Sequence, residues 1–265
     1  MISRRIEILR LDYLFAVIVP TLIAIYFNHL NIHNYWNLIL SFVFFGISGN
    51  IINDIFDRKD EADIEAQSRT QGFHDKELWA LAVVSASLGI SLLIPIILNF
   101  PIIGVYSAVA IFMVIIYCAK KKIPILNQFL LGISHIIIPY LIVKTIANLS
   151  SPLISLEEGF FLLALLFFAV SGQTVHEIID EDAIARYSLK TQQMVVVITS
   201  SISIILGSIG VLLMKEYLLF SFILIPIGTI YSFRRPKKSR KSIKDTGIIM
   251  GNLVMVFLFT LILCY

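Results

Sequence analysis

Nine continuous apolar runs occupy most of this chain of 265 residues, and they constrain its fold more than any other feature. A helix needs about 20 apolar residues to cross the hydrocarbon core of a bilayer, whereas membrane β-strands are shorter and alternate in polarity. The sequence therefore predicts an all-α polytopic membrane protein with about nine transmembrane helices in a single bundle. The predicted spans lie at residues 13–29, 35–53, 78–98, 101–118, 124–144, 158–175, 193–213, 217–233 and 246–264.

The composition agrees with this fold class, because 58% of the residues are hydrophobic and only 15% are charged. Soluble domains usually carry about 25% charged residues, and disordered chains carry few apolar ones. Cys118 and Cys264 lie far apart in apolar stretches, so neither a disulfide framework nor a cysteine metal site is expected. The charged N-terminus and the long first span argue against a cleaved signal peptide.

The basic residues predict how the helices are oriented, because cytoplasmic loops carry an excess of Lys and Arg. With the N-terminus in the cytoplasm, 19 of the 21 basic residues lie on the inner side, and only Lys144 and Lys215 lie outside. The basic run at 234–244 is then a cytoplasmic loop near anionic headgroups. We expect a multi-pass protein of the cell membrane whose active site faces the cytoplasm, with no nucleic-acid partner and no obligate protein partner.

Two cytoplasmic loops contain 12 of the 18 acidic residues. In the first loop, the spacing of one set of polar residues places them on one helical face. Carboxylates on one face repel each other unless a cation neutralises them, and hard divalent cations prefer carboxylate oxygens. The pattern therefore predicts a Mg²⁺ site, and its residues are Asn50, Asn53, Asp54, Asp57 and Glu61.

The second acidic loop follows the sixth span, just as the first follows the second span. Glu177, Asp180 and Glu181 stand at i, i+3 and i+4, again on one helical face. Two opposed acidic faces at one end of a bundle suit a diphosphate, because Mg²⁺ usually binds through one or two carboxylates plus phosphate oxygens.

The four-span separation of the two loops suggests an internal repeat within a single domain. We expect one transmembrane domain, 1–265, with four-helix units at 1–122 and 123–244 and an appended ninth helix at 245–265. This expectation rests on topology, because the residues themselves show no convincing repeat.

Polar residues also gather at the inner ends of the helices, while Phe, Leu and Ile crowd the spans above them. A ligand bound at the acids would thus have a charged head at the mouth of the bundle and an apolar tail within it, as an isoprenyl diphosphate has. Mg²⁺ would stabilise the leaving diphosphate, and the bundle would shield the allylic cation from water. These polar residues are Ser48, Asn50, Asn127, Gln128, Ser171, Gln173 and Thr174.

These features together resemble the UbiA superfamily of intramembrane prenyltransferases. The first motif of that family, NDxxDxxxD, is matched by Asn53, Asp54, Asp57 and Glu61, with Glu in the last place. The resemblance extends to the topology of nine helices with motifs after the second and sixth. It implies Mg²⁺-dependent transfer of a prenyl group from an isoprenyl diphosphate to a lipophilic acceptor, such as an aromatic quinone precursor or another small lipid.

The second family motif, DxxDxxxD, is matched less completely. Glu177 and Asp180 occupy the first two acid positions, but Ile184 occupies the third, so Glu181 or Asp182 is the candidate substitute. A Tyr and a Lys that often precede this motif are replaced by Gly172 and His176, and the NRP segment after the first motif is replaced by Ser68, Arg69 and Thr70.

The resemblance implies roles for individual residues. The expected metal ligands are Asp54, Asp57, Glu61, Glu177, Asp180 and Glu181. The expected diphosphate-binding residues are Asn50, Asn53, Arg58, Arg69, Lys121, Lys122 and Asn127. Catalysis is assigned to Asp54, Asp57, Asp180 and His176, of which His176 is a base or a diphosphate donor unless it is an ordinary loop histidine.

Two other functions stay open. A membrane terpene cyclase would use the same ionisation but redirect the cation within its own substrate. A divalent-cation or solute transporter is disfavoured, because no acid is predicted at the bilayer midplane where transporter sites usually lie. His135, inside the fifth span, is expected to bond to a neighbouring helix, with a catalytic role as the alternative. The residues do not identify the acceptor.

Overall fold

The structure, a computed structural model, describes residues 6–59, 63–120, 123, 125–148, 153–179, 183–233 and 240–264. These residues are helical almost throughout, and no β-strand occurs among them, which confirms the all-α prediction. The helices are α1 (Phe15–Phe27), α2 (Trp36–Asp57), α3 (Ile64–Thr70), α4 (Asp75–Asn99), α5 (Pro101–Lys120), α6 (Leu126–Ile146), α7 (Leu156–Ile179), α8 (Leu189–Met214), α9 (Phe220–Phe233) and α10 (Arg240–Cys264).

Within the described part of the chain, seven helices are long and apolar enough to cross a bilayer, namely α2, α4, α5, α6, α7, α8 and α10. Two shorter apolar helices, α1 and α9, correspond to the first and eighth predicted spans. Each is extended at its start by a 3-10 turn, Leu11–Tyr13 before α1 and Tyr217–Leu219 before α9. The prediction of a polytopic membrane protein is therefore confirmed.

The two helices that carry the acidic motifs continue beyond their apolar runs. The second predicted span ends at residue 53, but α2 continues to Asp57, and the sixth ends at 175, whereas α7 continues to Ile179. Hydropathy detects where the hydrocarbon ends, while helical hydrogen bonding continues into the polar interface. The carboxyl groups of Asp54, Asp57 and Glu177 consequently lie on the last turns of regular helices.

The short helix α3 connects α2 to α4 beside the first motif. Asp63 caps its start, because the Asp63 carboxylate accepts from the Ala66 N–H at 2.9 Å. Helix α4 then begins with a capping box, in which the His74 N–H donates to Glu77 Oε2 at 2.8 Å. These two caps define the path of the loop that brings Arg69 back to α2.

Close contacts and interhelical hydrogen bonds join the main helix pairs, α2 with α4 and α7 with α8. Ser41 donates to the Gly89 carbonyl at 2.8 Å, and Ser203 donates to the Ala164 carbonyl at 2.8 Å. A Cβ atom at Gly89 would lie 3.1 Å from the Ser41 carbonyl oxygen. Such small residues and hydroxyl groups hold membrane helices together where the lipid supplies no hydrophobic driving force.

Helix α6 packs against α1 and is interrupted near its middle by a π-turn, Ile133–Ile137. Pro139 follows the turn and has no backbone N–H to donate to the preceding turn. Wide turns of this kind inside α-helices occur frequently at functional sites. The turn contains His135, which lines the central cavity described below.

Candidate active site

A cavity of about 1140 Å³, here called the chamber, lies among helices α1, α2, α5, α6, α7, α9 and α10. Most of the residues that line it are apolar, and Ile, Val, Leu and Phe are the largest group among them. At the end formed by the inner helix ends the wall is polar, and we call this end the mouth. The side chains that line the mouth are Arg10, Asn50, Asn53, Asp57, Asp63, Glu65, Arg69, Gln173, His176 and Lys244.

Asp54, the first carboxylate of the first motif, is fully buried and bound by two arginines. Arg69 Nη2 and Nε lie 2.8 and 3.0 Å from its two carboxylate oxygens, and Arg10 Nη1 lies 3.5 Å away. Burial by itself would lower the pKa of Arg69, but the hydrogen bonds and charge of Asp54 raise that pKa above its ordinary value. The guanidinium of Arg69 is therefore charged at every physiological pH.

Asn53 and Asp57 form a second pair of oxygen-bearing groups, and both line the chamber. Asn53 Nδ2 donates to Asp57 Oδ2 at 2.6 Å. The Asn53 Oδ1 atom is buried and accepts no hydrogen bond from the described residues. Asn50, one turn earlier on α2, donates to the Arg10 carbonyl at 3.3 Å. The predicted polar stripe of α2 thus faces the mouth through Asn50, Asn53 and Asp57.

Glu177, the first acid of the second motif, is only 2% exposed. Its Oε1 accepts from Gln128 Nε2 at 3.1 Å and from Asn127 Nδ2 at 3.4 Å. These bonds tie the last turn of α7 to the first turn of α6. Glu177 does not line the chamber, whereas the preceding residue, His176, does.

The aromatic ring of Tyr13 lies near His176 at the mouth, and Arg10 lies against that ring. The ring of Tyr13 lies 6.5 Å from the ring of His176, centroid to centroid. The guanidinium carbon of Arg10 lies 4.1 Å from the centroid of the Tyr13 ring, within cation–π distance. Arg10 itself has a left-handed backbone with φ of 45°. This conformation, which is uncommon for a residue other than glycine, begins the turn that holds Tyr13 over the mouth.

A line of charged groups also connects α10 to the first motif. Lys244 Nζ lies 3.0 Å from Glu65 Oε2, and Arg69 Nη1 lies 3.7 Å from the same carboxylate oxygen. Since Arg69 also binds Asp54, α10, α3 and α2 are joined by one chain of ion pairs. Sequence reasoning assigned Arg10 and Lys244 only to the positive-inside count, and no spacing pattern marks them as site residues.

The other predicted site residues lie elsewhere or outside the described part of the chain. Arg58 does not line the chamber, because Arg58 Nη1 binds Asp75 Oδ1 at 3.1 Å and donates to the Phe73 carbonyl at 3.3 Å. The residues that lie outside the described ranges are Glu61, Lys121, Lys122, Asp180 and Glu181. Their predicted roles therefore stay predictions.

The sequence model of the UbiA prenyltransferase family matches residues 17–245, which is most of the chain. The chain belongs to the UbiA prenyltransferase family. Membership assigns it, in general terms, the activity of an intramembrane prenyltransferase, and the apolar helices described above agree with a membrane-embedded UbiA enzyme. Neither a curated protein nor a solved structure matches the sequence.

UbiA enzymes are generally metal-dependent, so the mouth has to be tested as a metal site. Among the described residues, no three or more His, Cys, Asp or Glu side chains are grouped so as to hold a metal ion. The donors that do face the mouth are nevertheless of the right type. The Asp57 carboxylate and the buried Asn53 Oδ1 supply hard oxygen atoms, which Mg²⁺ prefers.

Proposed function

We propose that this UbiA enzyme is a Mg²⁺-dependent prenyltransferase that moves an isoprenyl group from its diphosphate to a lipophilic acceptor. The observation that carries the proposal is the shape and polarity of one cavity. Its mouth presents Arg10, Arg69 and the Asn53–Asp57 pair, and behind them lies an apolar chamber of about 1140 Å³. A molecule with a multiply charged head and a branched hydrocarbon tail matches both parts.

The candidate contacts for the diphosphate are Arg69, Arg10 and Lys244. Guanidinium groups bind phosphate oxygens through paired hydrogen bonds, and the two arginines already lie together at Asp54. Lys244 adds a point charge beside Arg69, because both cations lie against the Glu65 carboxylate. An incoming diphosphate would compete with these carboxylates for the same cations.

The candidate metal-binding residues of the first motif are Asn53, Asp54, Asp57 and Glu61. Glu177, Asp180 and Glu181 are the candidates from the second motif. When bound, Mg²⁺ would neutralise the negative charge that develops on the leaving diphosphate. The bonds from Asn127 and Gln128 hold Glu177, the first acid of the second motif, in position.

The transfer involves one bond broken, one formed and one proton lost. The allylic C–O bond breaks, and its electron pair leaves with the diphosphate. An electron pair of the acceptor forms the new bond to the allylic carbon, and the acceptor then releases a proton. His176 lines the mouth and is the candidate to receive this proton or to donate to the diphosphate. The apolar chamber excludes water, which would otherwise capture the cation.

Purified protein in lipid nanodiscs tests the proposal with labelled geranyl, farnesyl and geranylgeranyl diphosphates, Mg²⁺ and a panel of lipophilic phenols and alcohols. We expect diphosphate release that needs an acceptor and that Asp57→Asn abolishes. Glu157→Gln, which makes the same carboxylate-to-amide change at the start of α7, far from the mouth, serves as the matched control and is expected to stay active.

The outcomes separate the candidate functions. Release without an acceptor, together with a cyclic hydrocarbon or alcohol, would instead identify a terpene cyclase. If wild-type protein consumes none of the three diphosphates, the proposal fails.

We also propose that the mouth faces the cytoplasm of the cell, with the protein in the cell membrane. In the predicted nine-span topology α10 runs outwards, so Cys264, which is exposed at the end of α10, lies outside. A membrane-impermeant maleimide should label Cys264 on intact cells, whereas the buried Cys118 should not react. Lys76→Cys in a Cys264→Ser background should react only after permeabilisation. Labelling of Lys76→Cys in intact cells would reverse the orientation.

A further inference from the structure

His135 is a polar ring on the wall of the apolar part of the chamber, and the reaction proposed above does not use it. It lies in the π-turn of α6 and lines the chamber. It comes eight residues after Asn127, which places it about 12 Å farther along the helix axis at a rise of 1.5 Å per residue. An ionisable side chain at this depth in a membrane is costly and is a candidate for function.

The contacts of the ring favour one tautomer. Ser134 Oγ lies 2.8 Å from His135 Nδ1, and the same hydroxyl donates to the Leu131 carbonyl at 3.3 Å. A hydroxyl has one proton to donate, so the tautomer that satisfies both contacts has Nδ1–H donating to Ser134 Oγ. Nε2 then has a free lone pair. The partner expected on a neighbouring helix is replaced by Ser134 of the same helix.

The surroundings of the ring favour its neutral form. Among the described residues, the charged side chains that line the chamber all lie at the mouth. No other side chain of the described residues shares a hydrogen bond with the imidazole. Three other serines also line the chamber beyond the mouth, namely Ser48, Ser107 and Ser203, but their hydroxyl groups donate to backbone carbonyls. Among the described lining residues beyond the mouth, His135 carries the only imidazole, and its Nε2 is a strong hydrogen-bond acceptor.

The prenyl diphosphate cannot donate a hydrogen bond to Nε2, because its hydrocarbon chain carries neither an O–H nor an N–H group. The hydrogen-bond donor must therefore come from the second substrate. We propose that His135 Nε2 accepts a hydrogen bond from a hydroxyl or N–H group of the lipophilic acceptor, and so selects acceptors that carry such a donor over ethers and hydrocarbons of the same shape. That the bound molecule is the second substrate of a prenyl transfer rests on the function proposed above, whereas the binding of a hydroxyl or N–H group at His135 does not.

His135 should also affect how tightly the protein binds the second substrate. A buried polar group left unpaired is costly, so a phenol should bind about tenfold to hundredfold more tightly than its methyl ether, a difference of about 1.4–2.8 kcal/mol. Removing His135 should abolish most of this preference without weakening the binding of the prenyl diphosphate at the mouth.

A direct test uses ¹⁵N-histidine-labelled protein in nanodiscs, with 2-naphthol and 2-methoxynaphthalene as matched probes. His135→Ala assigns the two ring signals of this residue among the five histidines. We expect a protonated Nδ1 and an unprotonated Nε2 in the free protein. Adding 2-naphthol should shift the Nε2 signal, and 2-methoxynaphthalene should leave it unchanged. An unprotonated Nδ1, or an Nε2 signal that ignores 2-naphthol, would overturn the inference.

Binding measurements on variants supply a second readout. The ratio of 2-naphthol to 2-methoxynaphthalene affinity should fall towards one in His135→Ala and should be largely restored in His135→Gln, whose amide oxygen supplies an acceptor near the position of Nε2. In turnover, His135→Ala should raise the KM of a phenolic acceptor while the KM of the prenyl diphosphate stays constant. An unchanged affinity ratio in a folded His135→Ala protein would refute the inference.

The two proposals fail in different ways. If the wild-type protein consumes no prenyl diphosphate but the Nε2 signal responds to 2-naphthol, the prenyl transfer is refuted and the binding site stands. If prenyl diphosphate is consumed and the Nε2 signal does not respond, only the role of His135 is refuted. A variant that does not fold leaves the decision to the spectrum of the wild-type protein.

Discussion

Lys144 and Glu158 form a buried ion pair at the end of the bundle opposite the mouth. Lys144 Nζ lies 2.8 and 3.0 Å from the two Glu158 oxygens, and the two side chains are 6% and 8% exposed. Lys144 also donates to Asn28 Oδ1 at 2.8 Å, and Glu158 accepts from the Tyr140 hydroxyl and from the Ser155 N–H. This network ties α6 and α7 to the end of α1.

Lys144→Met removes the cation and leaves the Glu158 carboxylate buried. Breaking a buried pair by removing one partner costs about 3–5 kcal/mol. At about 2–4 °C per kcal/mol for a protein of this size, the unfolding temperature should fall by about 6–20 °C. Lys144→Met combined with Glu158→Gln should be more stable than Lys144→Met alone, because the amide removes the unpaired charge and still accepts from Ser155.

Thermal unfolding in one nanodisc composition measures these differences. Lys215→Met is the matched control, since Lys215 is exposed at the same end of the bundle, and it should change the stability by about 0.5 kcal/mol or less. An unfolding temperature for Lys144→Met equal to that of the wild-type protein would refute the reasoning. So would a double variant that is less stable than Lys144→Met, because it would show that the unpaired carboxylate is not the cause.

Three further predictions concern the mouth and the chamber. Removal of divalent cations with EDTA should stop diphosphate release, and added Mg²⁺ should restore it; release that continues in EDTA would contradict the proposed metal dependence. Arg69→Lys loses the paired hydrogen bonds of the guanidinium. The KM of the prenyl diphosphate should therefore rise about tenfold, for a loss of about 1.5 kcal/mol of binding free energy. An unchanged KM would exclude Arg69 from the diphosphate site. Gly172 lines the chamber, and a Cβ atom added to it would meet no other atom within 4 Å. Gly172→Leu should therefore fill part of the chamber without distorting α7 and lower kcat/KM for geranylgeranyl relative to geranyl diphosphate by about tenfold or more. A constant ratio would show that the chain does not pass this position.

The fold class could be predicted because lipid imposes a strong and simple constraint on sequence. Each span must be apolar over about 20 residues, and the long apolar helices follow the predicted spans with small shifts at their ends. Asn53 and Asp57 could likewise be placed at one site, since helical spacing alone puts them on one face of α2.

The partners of these groups could not be predicted, because they depend on contacts between distant segments. Arg69 binds Asp54 only because the capped turns around α3 return it to α2. Lys144 is buried within the bundle because Glu158 on the next helix pairs with it, and no spacing pattern in the sequence marks that pair. The π-turn that contains His135 has no marker of its own in the sequence besides the nearby Pro139.

The central claim is that one ligand occupies both the polar mouth and the apolar chamber. An experimental structure with Mg²⁺ and a non-reactive thiodiphosphate analogue of geranyl diphosphate tests it most directly. We expect the diphosphate to lie against Asn53, Asp57 and Arg69, and the geranyl chain to lie inside the chamber between α1 and α6. A diphosphate bound away from these three residues, or a chain lying on the lipid-facing surface of the bundle, would contradict the account.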